Sequence, residues 1–142
     1  MAARYPERIV CLTEETTETL YLLGEERRIV GISGYTVRPP RARQEKPKVS
    51  AFLSAKTERI LELKPDLVLG FSDLQADIAR DLAKAGLNIM IFNQRSVAQI
   101  LSMIQTLSSM VGAGDKGAAL VRNLEDNLAQ IGEAGRAFPR KP

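Results

Sequence analysis

The sequence predicts an α/β lobe, a mostly parallel sheet flanked by helices and ending in one long helix. Three observations predict it. Short β-branched and apolar runs alternate along the chain with stretches of helical periodicity, the pattern of parallel strands joined by crossover helices. Leu67-Val68-Leu69 is apolar without a break, so this strand is buried on both faces and has helices on both sides. From Asp115 onward, Leu120, Val121, Leu124, Leu128 and Ile131 mark a helical stripe over about twenty residues, about 30 Å at 1.5 Å per residue.

Arg8 to Leu12 forms the first strand. Thr13 to Thr16 make a polar turn, and Thr13 or Thr16 caps a helix running to about Leu23, with Leu20, Leu22 and Leu23 apolar and Gly24 as its stop. Ile29 to Ile32 is the second strand. After Ser33-Gly34-Tyr35-Thr36, Pro39-Pro40 forces an extended or turned loop. Arg41 to Pro47 is charged and reads as a surface turn, and Val49 to Phe52 as a strand or extended segment. Thr57 begins a short helix with Ile60, Leu61 and Leu63 apolar. It stops at Lys64-Pro65-Asp66, because proline disfavours the helical region for its predecessor and lacks an amide hydrogen. Beyond the apolar strand, Ser72-Asp73 caps a helix to Ala85 with Leu74, Ile78 and Leu82 in a stripe, and Gly86 ends it. Asn88 to Phe92 is a further strand. Ser96 caps a helix carrying Ile100, Met103, Ile104, Leu107 and Met110 on one face, and these methionines read as core rather than as metal ligands. Gly112-Ala113-Gly114 breaks that helix and Asp115 caps the last one. The predicted organisation is a single Rossmann-like ligand-binding lobe over 1–112 and a long helix over 113–142.

Composition narrows the function. The chain of 142 residues is 44% apolar and 26% charged, enough for one domain with a core. A net charge of +3, with no basic cluster interleaved with aromatics, argues against nucleic acid. There is no apolar run long enough to span a membrane. The count of histidines is 0, which removes the commonest general base and the commonest zinc ligand, so neither a catalytic triad nor a metal site is expected. Cys11 lies inside a strand pattern and reads as a buried, inert thiol. Gly31-Ile32-Ser33-Gly34 lacks the spacing and following helix of a dinucleotide fingerprint. Met1 to Glu7 is polar without an apolar signal core, so the expected compartment is the cytoplasm unless a signal has been removed.

Loops after consecutive parallel strands gather at one sheet edge, where α/β ligands bind. That edge collects Thr13 to Thr17, Gly34 to Thr36, Ala51 to Leu53 and Gly70 to Asp73. It offers the aromatics Tyr35, Phe52 and Phe71 with hydroxyls such as Thr16 and Ser72 and few charges. Such walls suit a flat or large, mostly apolar ligand. The residues alone leave a second reading open, that one or both phenylalanines belong to the core. Glu58, near the start of its helix, reads as a surface carboxylate favourably placed against the helix dipole.

The run PERIVCLTEETTETLYLLG from Pro6 to Gly24 resembles the opening of the class III, helical-backbone periplasmic binding proteins. Thr17-Glu18 enters the helix and Leu23-Gly24 stops it, as in that family. The likeness continues through IVGISGY, Pro39-Pro40, Lys46-Pro47-Lys48-Val49 and TERILELKPDLVLGF, and so covers essentially the whole chain. The family supplies the substrate-binding components of ABC importers for vitamin B12, ferric siderophores and haem. The resemblance therefore implies a non-enzymatic lobe, with no resident cofactor, that holds one face of a small-molecule ligand. It implies the N-terminal lobe and the inter-lobe backbone helix, with a C-terminal lobe outside this chain, which would be a truncated domain. Corrinoid (cobalamin-type) comes first as ligand, because Tyr35, Phe52 and Phe71 fall on positions where aromatics line the vitamin B12 cleft. Haem or a ferric siderophore is the alternative, with Arg38 or Arg95 as the cleft arginine. Glu58 falls where a glutamate docks on arginines of the ABC permease. By this resemblance the protein is periplasmic or extracellular. An exposed apolar patch on the last helix, or a homodimer through it, is expected in the truncated form. The competing class is an enzyme lobe, nucleotide-dependent or built for metallocluster assembly, for which Cys11 alone supplies too few ligands.

Overall fold

The computed structural model describes residues 4–50 and 56–137. Its described strands form one parallel sheet in the order β3-β2-β1-β4-β5, with β1 Ile9–Cys11, β2 Ile29–Ser33, β3 Lys48–Ser50, β4 Leu67–Phe71 and β5 Ile89–Phe92. The helices are α1 Glu14–Leu22, α2 Pro40–Glu45, α3 Thr57–Glu62, α4 Ala76–Lys84, α5 Val97–Met110 and α6 Gly114–Ala137.

The alternating side chains of β1 and β4 divide the core in two. Ile9 and Cys11 with Leu67 and Leu69 face α1, α2 and α5, where they meet Leu20, Tyr21, Ala42, Met103, Ile104 and Leu107. Val10 and Leu12 with Val68 face α3 and α4, where they meet Ile60, Ile78 and Leu82. Both central strands are thus buried on both faces, as the unbroken apolar run predicts. At the sheet's opposite edge, the Asp66 carboxylate accepts from the amides of Glu7 and Arg8 at 2.8 and 3.0 Å and aligns the starts of β1 and β4. Arg8 in turn donates to the Leu63 and Lys64 carbonyls at the end of α3.

The structure corrects several expectations. Arg41 to Pro47 is not a surface turn, because most of it is α2. Pro40 sits in its first turn, where proline's fixed φ is helix-compatible, and Ala42 is buried. Its charges are engaged rather than merely solvated. The Arg41 guanidinium lies over the Tyr21 ring at 4.7 Å and pairs with Glu26 and Glu45, while the Tyr21 hydroxyl donates to Glu45 at 2.6 Å. Leu74 is 58% exposed because Asp73–Gln75 is a 3-10 turn, whose tighter winding takes it out of the stripe that buries Ile78 and Leu82. Ile100 is exposed as well, while Met103, Ile104 and Leu107 carry the α5 face. Thr13 precedes α1 without capping it through its side chain, whereas Ser96 caps α5 by accepting from the Gln99 amide at 3.2 Å.

α6 has 24 residues, about 36 Å. Leu120, Val121 and Leu124 pack on the core through α5, but farther along Leu128 and Ile131 are exposed, an apolar patch of the kind expected there. The close approach of the two helices is at Gly117, where a Cβ would collide with the Ser108 side chain. Gly117→Ala should therefore lower the unfolding midpoint in urea. Helix propensity alone would raise stability by about 1 kcal/mol, so a stabilised variant would refute the close contact.

Candidate functional site

β1 and β4 are neighbours, yet the chain leaves them in opposite directions. After β1 it enters α1, which packs with Ile9 and Cys11. After β4 it reaches α4, which packs with Val10 and Val68. Such a divergence opens a crevice at the carboxyl ends of the two strands, the usual ligand position of an open parallel sheet.

Gln75 braces this crevice. It is fully buried, its Oε1 accepts from the Phe71 amide at 2.7 Å, and its Nε2 donates to the Leu12 carbonyl at 3.1 Å. One side chain thus ties the tip of β4 to the tip of β1. Gly70 leaves room for it, since a Cβ there would come within 3.1 Å of the Gln75 Oε1 and 2.7 Å of Ile91. Ser72 then turns the chain with φ 60° and ψ 170°, a region nearly restricted to glycine, and its Oγ accepts from the Leu74 amide at 3.1 Å.

The sequence-predicted residues divide by position. Phe71 is half-buried at the tip of β4, and the Arg95 guanidinium lies over its ring at 5.3 Å. Arg95 also pairs with Asp73 at 3.3 Å. Tyr35, beyond the tip of β2, is 66% exposed. Its loop is held by Arg43, which donates to the carbonyls of Gly34 and Thr36 at 2.6 and 3.0 Å, and by Ser33 Oγ, which accepts from the Tyr35 amide at 3.2 Å. Phe52 lies outside the described residues. Thr16 and Ser72 are buried, and their hydroxyls are engaged within the loops: Thr16 with Thr13 at 2.9 Å, Ser72 with Leu74. They hold the edge in shape rather than face a ligand. Arg38 is exposed and lines a separate cleft of about 580 Å³ beside α1, with Glu18, Tyr21, Leu22 and Val37. That cleft is roomy but shares neither Tyr35 nor Phe71, so the strand-tip crevice remains the better candidate on topology. Glu58 is exposed in the first turn of α3.

Cys11 is buried in β1, and burial pushes its thiol up to about 11, too high for a nucleophile at neutral pH. Among the described residues no group of three or more Cys, Asp or Glu could hold a metal ion, and no helix is long and apolar enough to cross a membrane. The sequence reading missed Gln75 and Arg43. Gln75 looks like any polar residue in a helical first turn, and Arg43 sits in a run read as solvated charge, so no local signal marks either.

Known proteins share this architecture. Residues 9–142 match the family described as periplasmic binding protein. The chain is 27% identical over 139 residues to the uncharacterized ABC transporter substrate-binding lipoprotein YvrC of Bacillus subtilis, covering 95% of this chain and 44% of that protein. It is 31% identical over 109 residues to the vitamin B12-binding protein of Yersinia pestis, covering 76% of this chain and 39% of that protein. In fold it is similar to the periplasmic haem-binding protein RhuT of Roseiflexus sp. RS-1, with a TM-score of 0.86, 24% identity, and coverage of 96% of this chain and 52% of the other. The chain thus spans less than half the length of these two curated relatives.

The strained Ser72 yields a test of the loop. Ser72→Ala and Ser72→Gly both lose the hydroxyl, but only glycine relaxes the backbone. Urea unfolding should show alanine destabilising by about 1–2 kcal/mol and glycine by less. The reverse order would mean that the turn is unstrained.

Proposed function

The chain belongs to that periplasmic binding protein family, and we propose that it is the N-terminal ligand-holding lobe of an ABC importer's substrate-binding protein, taking one face of a corrinoid. The family consists of solute-binding proteins, which leaves the enzyme reading without support. The observation that carries the proposal is the half-buried Phe71 at the tip of β4 beside β1, with Tyr35 exposed on the hydrogen-bonded loop of the same sheet edge. Phe52, by its sequence position, would add a third wall. The ligand is cargo rather than a resident cofactor. A second, C-terminal lobe would close over its other face, and Leu128 and Ile131 on α6 offer apolar surface for that lobe or for a second copy of this chain. The name of the Yersinia pestis relative supports the corrinoid.

A haem or ferric-siderophore ligand is the second reading. It is favoured by the exposed cation Arg95 over the Phe71 ring, which suits an anionic cargo better than a neutral one. In either case Glu58 is proposed as the contact to the permease, steering orientation more than supplying affinity. Such a protein works outside the cytoplasmic membrane, a compartment that the lipoprotein name of the Bacillus subtilis relative supports.

Equilibrium dialysis against cobalamin, haemin and a ferric hydroxamate siderophore tests the ligand. Cobalamin should be retained, and Phe71→Ala should weaken retention about tenfold or more, a loss of at least about 1.4 kcal/mol of stacking and apolar contact. Retention of haemin or the siderophore alone would move the assignment to that class, and retention of none would leave the fold without this function. Glu58→Lys should leave dialysis unchanged while lowering uptake in cells that carry the transporter. Unchanged uptake would remove Glu58 from the docking surface.

A further inference from the structure

We infer that the outer edge of β5 is an interface for a second copy of this chain, which adds its own β5 antiparallel and joins the two sheets edge to edge.

The edge is open and unguarded. On its inner side, the carbonyls of Asn88 and Phe92 accept from the Val68 and Ser72 amides at 2.9 and 2.8 Å. Backbone groups alternate in direction along a strand, so the N–H and C=O of Ile89 and Ile91 face away from β4. Among the described residues no strand lies beyond them. Ile89, Met90 and Ile91 are only half-buried, and Leu87 to Gln94 contains neither a charge nor a proline. The opposite edge is guarded. There β3 has 3 residues, follows Pro47, exposes Lys48 and spends its Val49 carbonyl on the Lys56 amide at 3.1 Å. An edge strand without such devices is a template for pairing.

The chemistry of the edge selects its occupant. A cleft of about 270 Å³ lies between β5 and α5, with Met90, Phe92 and Met103 as its apolar part and Ser102 and Thr106 in its polar lining. Among the described residues no ionisable side chain lines it. A charged strand would lose hydration here and meet no counter-charge. The fitting partner is an extended, uncharged strand with apolar side chains, and β5 is itself such a strand.

Symmetry then fixes the register. A two-fold axis perpendicular to the sheet keeps each face on its own side, so facing residues must share the same side of the pleat. With the axis at Ile91, Ile91 meets its own counterpart, Ile89 meets Asn93 and Met90 meets Phe92 of the second copy. The two copies of Ile91 exchange both backbone hydrogen bonds, and Met90 gains a sulfur–aromatic contact. An axis at Met90 would instead set Asn88 against the Phe92 ring. Antiparallel pairing points the two carboxyl edges in opposite directions, so each strand-tip crevice stays open.

Sedimentation equilibrium of this chain over a concentration series should show a reversible dimer. Asn93→Lys puts a charge on each side of the axis at an exposed position, and should raise the dissociation constant about tenfold or more. Its unfolding midpoint at high dilution should be unchanged. Leu128→Glu, in the exposed apolar patch of α6, should leave the dimer intact. Amide exchange followed by NMR should slow at Ile89 and Ile91 as concentration rises and stay constant at Val49. A chain monomeric throughout, a dimer indifferent to Asn93→Lys, a dimer that Leu128→Glu dissolves, or concentration-dependent protection absent from Ile89 and Ile91 overturns the inference.

Discussion

A strand buried on both faces has no access to water, so its amides and carbonyls must be satisfied by strands on either side. β1 and β4 are in this position, and they satisfy each other in register, Ile9 with Leu67, Val10 with Val68 and Cys11 with Leu69. Both faces of the pair then need helical cover. The cover comes from α1, α2 and α5 on one face and α3 and α4 on the other. Because β1 feeds the first layer and β4 the second, the chain parts at their shared carboxyl end. The crevice is a consequence of burying two central strands, and every residue assigned to the site takes its place from it.

The edge is built more for shape than for direct contact. Gln75, Arg43, Ser33, Thr16 and Ser72 commit their polar atoms to backbone or neighbouring hydroxyls, and together they hold the tips of β1, β2 and β4. Fixed loops carrying exposed aromatics are what a binding surface needs, since ordering them at the moment of binding would subtract from affinity. The charged groups left over beyond β4 and ahead of α5 are Asp73 and Arg95, which are exposed and paired with each other at 3.3 Å.

The cluster of Tyr21, Glu26, Arg41 and Glu45 shows how a charged stretch can be structural. Tyr21 is raised well above the usual phenol range, by burial first and then by its hydrogen bond to Glu45. Glu26 is held below the usual carboxylate range, by its own backbone hydrogen bond first and, against the opposing effect of burial, by Arg41. Together these contacts dock α2 on α1, and α2 positions the loop from Tyr35 to Pro39.

By itself the sequence determined the layering. Strand-helix alternation, the unbroken Leu67-Val68-Leu69 run, glycine stops at Gly24 and Gly86 and the α6 stripe are local signals, and the fold obeys them. It also placed Phe71 and Tyr35 at the carboxyl edge of the sheet, because parallel connectivity sends alternate loops to one side. Only tertiary structure decided the rest. That Arg41 lies in a helix docked on Tyr21, that Leu74 faces water, that Gln75 spans two strand tips and that Arg95 lies on Phe71 all depend on contacts between residues distant in sequence or on a tight turn that shifts register. Periodicity records which face of an element is apolar. It carries no record of which buried amide will meet which carbonyl, and the contacts of this site are of that kind.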